Sequence, residues 1–216
     1  MIFDSQRVKL KKNFYRVIEE DMTKIKFCGL KILDDISFAN EIFPEYVGFV
    51  FAKKSKRYIT PAQAEKLRNA LSKKICAVGV FVNEDFKTVA ELLNAGIIDA
   101  AQLHGNEDDD YIKNLRGLTN KLIIKAFTVD KLAESLADFI LIDAGAGDGK
   151  VFDWNLINLR REYFLAGGLT PKNVGAAIKL LKPYAVDVSS GIETDGKKDF
   201  NKMKAFAEAV RKDFYD

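Results

Sequence analysis

Residues 24–31 read KIKFCGLK, an apolar run of strand length that ends on a cysteine and a glycine. The pattern recurs. Runs rich in Val, Ile and Phe stand at 25–29 (IKFCG), 47–51 (VGFVF), 75–82 (ICAVGVFV), 99–104 (DAAQLH), 122–127 (LIIKAF), 139–144 (FILIDA), 163–168 (YFLAGG) and 185–191 (AVDVSSG). Their length and β-branched content predict eight strands. Amphipathic segments lie between them. Residues 60–72 (TPAQAEKLRNALS) open with Thr60 as N-cap and Pro61 at the first helical position, and 170–182 (TPKNVGAAIKLLK) repeat that opening. Residues 83–96 (NEDFKTVAELLNAG) begin on Asn83 as an asparagine cap and stop on a glycine.

Eight β-then-α units with strands apolar on both faces predict a parallel sheet covered by helices. Closure gives a (β/α)8 barrel of the TIM type, and an open doubly wound sheet is the alternative. A chain of 216 residues makes a compact barrel, with short helical segments expected at TVDKLAESLAD (128–138) and FDWNLINLRRE (152–162). No Pro/Ser-rich linker or charge block divides residues 23–216, which are therefore read as one catalytic domain. Residues 1–22 precede the first unit, and helical spacing of Phe14, Val17 and Ile18 predicts a partly helical N-terminal extension.

Composition excludes several classes of function. The 34 basic and 31 acidic residues are spread along the chain, so no basic face calls for nucleic acid or an anionic membrane, whereas small anions remain suitable partners. Two cysteines form no disulfide framework, and a solitary histidine makes a His/Cys metal cage a poor reading. No apolar run approaches the ~20 residues of a membrane span, and charges interrupt the N-terminus too often for a secretory signal. The expectation is a reduced, cytoplasmic protein without metal or other cofactor.

In such a barrel, chemistry gathers where the strands exit. Cys28 ends the first strand and is a candidate catalytic thiol or a small core residue; Cys76 begins the third and reads as core. Alternation puts Lys26 on the side of Cys28, and Asp187 on the side of Ser189. Closure makes their strands neighbours, so Lys26 and Asp187 are expected to pair, either as a structural ion pair or in support of a Cys28 thiolate. Asp143 follows an apolar strand and is either a loop cap or a general acid. Gly167 and Gly168 after strand seven, with Ser189, Ser190 and Gly191 after strand eight, occupy the usual phosphate-binding loops of the fold. Arg57, beside Tyr58, has a planar fork suited to a carboxylate, and His104 ends strand four. The segment GAGDGK (145–150) lacks the spacing of a dinucleotide fingerprint and reads as a loop that either folds over a ligand or lies in solvent.

Together the stretches KIKFCGLK, VGFVFAKKSKRYITP, VGVFVNE, AAQLHGNE, LIDA, GDGKVFDW, LAGGLTPKNV and AVDVSSGIETDGKKD resemble the phosphoribosylanthranilate isomerases of tryptophan biosynthesis. The resemblance covers nearly all of residues 24–200 in order. It implies an Amadori rearrangement of an aminoaldose phosphate to an aminoketose phosphate. Asp143 would protonate the furanose oxygen and Cys28 would remove the C2 proton, with no cofactor. Arg57 would meet the anthranilate carboxylate, and the backbone about Gly168, Ser190 and Gly191 the phosphate; His104 and Asp187 would also line the substrate site. A homo-oligomer is compatible with this reading. The chain departs from the family pattern at Asp148, at Lys31 and in its N-terminal extension. Rival readings are a metal-dependent sugar-phosphate epimerase, which needs more histidines, an indole-glycerol-phosphate synthase, and a noncatalytic phosphate-ligand protein.

Overall fold

The computed structural model describes residues 22–144 and 161–212. Eight parallel strands close into one barrel in sequence order: β1 (Lys24–Cys28), β2 (Tyr46–Val50), β3 (Cys76–Phe81), β4 (Ala100–Leu103), β5 (Leu122–Thr128), β6 (Phe139–Asp143), β7 (Tyr163–Ala166) and β8 (Ala185–Val188). The open doubly wound alternative is thereby excluded. The seam is made by β1 against β8, with Lys26 opposite Asp187. Around the barrel lie α1 (Leu33–Ile42), α2 (Pro61–Ala70), α3 (Phe86–Asn94), α4 (Asp109–Arg116), α5 (Val174–Leu181) and α6 (Phe200–Lys212). A small hairpin, β9 (Glu193–Thr194) with β10 (Lys197–Lys198), follows β8.

Alternation along the strands divides the core in two. Phe27, Val47, Phe49, Ala101, Leu103, Ile142, Leu165 and Val186 belong to the cluster between barrel and helices. Tyr46, Val78, Ala100, Ile124, Leu141, Phe164 and Ala185 form a second cluster, which fills the barrel interior below its mouth. Phe164 is wholly buried there, with ring centroids 5.3 Å from Tyr46, 5.6 Å from Phe139 and 5.6 Å from Tyr184. This aromatic floor leaves the inward side chains of the last strand residues to line the mouth.

Local chemistry explains the helix boundaries. Thr60 Oγ1 accepts from Gln63 N–H at 3.2 Å while Gln63 Oε1 accepts from Thr60 N–H at 2.9 Å, a capping box ahead of Pro61. The second Thr-Pro pair behaves differently from expectation. Asn173 Oδ1 accepts from Thr170 N–H at 2.7 Å, and Asn173 Nδ2 donates to Gly168 O at 3.0 Å. These bonds hold residues 170–173 in a turn, and the helix starts at Val174. Asn83 likewise is not a cap: it lies at φ 54° and accepts from Asn106 N–H, while Asp85 caps α3 through Lys87 N–H at 2.7 Å. In place of a helix at 128–138 there is one 3-10 turn, Val129–Lys131. There Ser135 Oγ accepts from Ala137 N–H and Asp109 Oδ1 from Leu136 N–H, satisfying backbone donors outside a helix. The expected helix about Phe14, Val17 and Ile18, the segment 145–150 and nearly all of 152–162 lie outside the described residues.

Phe164→Ala removes the central ring of the floor. It is expected to lower unfolding free energy by about 3–5 kcal/mol in urea titrations; a loss under about 1 kcal/mol would show that the floor repacks.

Candidate active site

The barrel mouth holds a cavity of about 490 Å³, and nine of the ten sequence-predicted site residues line it: Cys28, Arg57, His104, Asp143, Gly167, Gly168, Asp187, Ser189 and Ser190. Gly191 stands just outside. A Cβ there would fall 1.9 Å from Leu169 O, so only glycine lets the loops after β7 and β8 touch. Gly167 and Gly168 have φ of 95° and 62°, a left-handed turn that brings backbone rather than side chains to the rim.

Lys26 is fully buried in the strand layer below Cys28, and its Nζ donates to Asp187 Oδ2 at 2.8 Å. The partner oxygen, Asp187 Oδ1, is buried with no hydrogen-bond partner among the described residues. Burial alone depresses the Lys26 ammonium, but the Asp187 charge and hydrogen bonds to Asp187 and Cys28 raise it above its ordinary value. Burial also pushes the Cys28 thiol upward, and the Asp187 charge adds to this; Lys26 and Lys198 pull the other way without winning. The resting thiol therefore keeps its proton at neutral pH, with an ammonium in place to receive a thiolate. Cys76 sits at the opposite end of the barrel, its thiol pushed up to about 12 by burial. Both cysteines are unpaired.

Two glycines make room for Cys28 and Arg57. A Cβ on Gly48 would lie 2.7 Å from the Cys28 sulfur. Gly29, at φ 81°, leaves space that Arg57 crosses: a Cβ there would meet Arg57 Cδ at 2.3 Å. Arg57 Nε and Nη2 donate to Glu193 Oε1 at 2.7 Å and Oε2 at 2.8 Å, so the fork predicted for a carboxylate already holds one from the protein. Just past β4, His104 Nδ1 lies 2.8 Å from Gln102 Nε2; the amide nitrogen donates, which leaves the ring proton to Nε2. That nitrogen is 3.5 Å from Asp143 Oδ2. Gln102 Oε1 is buried and unpartnered among the described residues.

Sequence reasoning missed Gln102, Glu193 and Lys198. Gln102 was legible, because it shares the inward face with His104 two residues on. The Asp195-Gly196 pair signals a tight hairpin, and both residues have positive φ, but nothing in the spacing said that the hairpin reaches back to Arg57.

Fold and cavity define a TIM-barrel protein with a carboxyl, a thiol and a glycine-lined rim gathered at one mouth. The family model described as N-(5'-phosphoribosyl)anthranilate (PRA) isomerase matches residues 25–209. The N-(5'-phosphoribosyl)anthranilate isomerases of Endomicrobium trichonymphae and Thermoanaerobacter sp. (strain X514) are 46% and 43% identical over 88% of this chain and 99% and 98% of theirs. The crystal structure of the Thermotoga maritima phosphoribosyl anthranilate isomerase aligns with TM-score 0.79 at 36% identity, over 88% of this chain and 100% of that one. A second such structure, in complex with reduced 1-(o-carboxyphenylamino)-1-deoxyribulose 5-phosphate, aligns at TM-score 0.74 and 33% identity over the same shares. The chain belongs to the N-(5'-phosphoribosyl)anthranilate isomerase family.

The upward displacement of the Cys28 thiol is measurable. In a Cys76→Ala background, the pH profile of iodoacetamide alkylation is expected to have its midpoint above the ordinary thiol range of ~8.5. A midpoint below ~8 would mean that the lysines outweigh burial.

Proposed function

We infer that the chain is an isomerase of tryptophan biosynthesis, converting N-(5'-phosphoribosyl)anthranilate to 1-(2-carboxyphenylamino)-1-deoxyribulose 5-phosphate. The observation that carries this reading is the convergence of Cys28 from β1 and Asp143 from β6 on one cavity whose rim holds Arg57 and the paired glycine loops. A substrate with a carboxylate on one part and a phosphate on another matches that rim.

The chemistry begins with two proton transfers. Asp143 donates to the furanose oxygen as the C1–O bond breaks, and the anilino lone pair forms the C1=N iminium. Cys28, as thiolate, removes the C2 proton; the electron pair forms C1=C2 and neutralises the iminium nitrogen. The enolamine then tautomerises, C1 gaining a proton and the C2 hydroxyl becoming the ketone. The iminium is the electron sink. His104 presents Nε2–H toward Asp143, which orients the carboxyl. Lys26 receives the charge of the thiolate. The unfilled acceptor at Asp187 Oδ1 favours an N–H or O–H donor of the substrate there. Arg57 takes the ring carboxylate, and the Gly167–Gly168 and Ser189–Gly191 loops take the phosphate.

The active form carries a proton on Asp143 and none on Cys28. It has the same proton count as the reverse arrangement, so activity stays level between the two apparent pKa values. kcat/KM is therefore expected to be flat through neutral pH and to fall on both sides, above the raised thiol value and below the lower apparent pKa of the pair. Cys28→Ala and Asp143→Asn should each lose at least ~10²-fold in kcat while binding the reduced product analogue within a few-fold of wild type. Wild-type inactivity on fresh substrate, or full turnover in Cys28→Ala, contradicts the assignment.

A further inference from the structure

The bidentate hold of Glu193 on Arg57 engages the Nε/Nη2 edge of the guanidinium and leaves the Nη1/Nη2 edge for another acceptor. Glu193 is itself gripped. Lys198 Nζ donates to Glu193 Oε1 at 2.8 Å, to Ser189 O at 3.0 Å and to Ser189 Oγ at 3.3 Å, and the lysine side chain is only 2% exposed. Ser189 Oγ in turn donates to Cys28 O at 3.0 Å. The hairpin β9–β10 places Glu193 and Lys198 on paired positions, so one short element presents both. The carboxylate side chain of Glu193 is 7% exposed. Arg57, Glu193 and Lys198 together leave one positive charge in surplus beside the cavity.

We propose that Glu193 and Lys198 are a positioning dyad: they hold Arg57 with its Nη1/Nη2 edge toward the cavity and thereby set the preference for a substrate bearing a ring carboxylate. An arginine without such an anchor has several rotamers to give up on binding, and the dyad removes that cost before the ligand arrives. The same geometry explains why an internal carboxylate on Arg57 does not compete with the substrate, since the two use different edges of one planar group. Burial and the Arg57 and Lys198 contacts act oppositely on Glu193; the contacts prevail and hold it at about 2, so it stays ionised throughout the working pH range. Lys198, tied to Ser189 beside Cys28, also carries its charge toward the thiol.

This inference rests on Arg57 meeting the substrate carboxylate, and the test separates the two. The reduced product analogue, its counterpart with an unsubstituted phenyl ring, and inorganic phosphate are titrated into wild type, Arg57→Met, Glu193→Ala and Lys198→Met. Wild type is expected to prefer the carboxylated compound by about tenfold or more. Glu193→Ala and Lys198→Met should each reduce that preference to about threefold or less, as Arg57→Met does, while phosphate affinity stays within about twofold of wild type. Full preference in Glu193→Ala and Lys198→Met with its loss in Arg57→Met overturns the dyad alone. Full preference in Arg57→Met overturns the carboxylate reading and the dyad with it. A parallel fall in phosphate affinity in the dyad variants would assign the pair to general support of this face and also overturn the proposal.

Discussion

The site depends on the buried ion pair between Lys26 and Asp187, 2.8 Å long, at the seam where the first strand meets the last. An ammonium at 0% exposure needs a compensating charge, and removal of either partner from such a pair costs about 3–5 kcal/mol. The pair therefore fixes which residues of β1 and β8 lie opposite each other. Two residues further along each strand, on the same face, stand Cys28 and Ser189, themselves joined by the Ser189 hydroxyl. Seam register and thiol placement are one constraint. The pair is also chemical: the Lys26 charge pulls against the burial of the Cys28 thiol and is the ammonium that a thiolate would face.

Above this layer, missing side chains matter as much as those present. Gly48 leaves the space that the Cys28 sulfur fills, Gly29 the space that Arg57 crosses, and Gly191 the space for the Leu169 carbonyl. Each absent Cβ lets a neighbour approach closer than any other residue would permit. The glycine after Cys28 thus serves the arginine across the rim rather than flexibility at the strand end. Through that gap Arg57 reaches Glu193, and Lys198 carries the chain of contacts back to the carbonyl of Cys28 itself. The Asp143 carboxyl, the Cys28 thiol and the Arg57 fork are set by few elements, most of them strand ends.

Much of this was legible in the sequence because the strands are short, buried on both faces and strictly alternating. Alternation alone placed Lys26 with Cys28 and Asp187 with Ser189, and strand order made the two pairs neighbours. Helix starts were less legible. Thr60-Pro61 and Thr170-Pro171 look alike, yet only the first opens a helix, since Asn173 supplies a competing turn that ties Thr170 and Gly168. The fork of Arg57 was read as suited to a carboxylate, and the one it holds in the structure is Glu193, 136 residues away in sequence. Contacts of that range between loop side chains follow from barrel closure and leave no local periodicity to read.

The chemistry rests on one geometrical condition: a substrate bound by phosphate and carboxylate presents C2 to Cys28 and the ring oxygen side to Asp143. A crystal structure of this chain with reduced 1-(o-carboxyphenylamino)-1-deoxyribulose 5-phosphate tests it most directly. Phosphate is expected against Gly168 and Ser190, the ring carboxylate on the Nη1/Nη2 edge of Arg57 with Glu193 still on the other, and C2 about 3.5 Å from the Cys28 sulfur. A ligand bound in the reverse sense, with its carboxylate at the glycine loops and C2 turned away from Cys28, would contradict it.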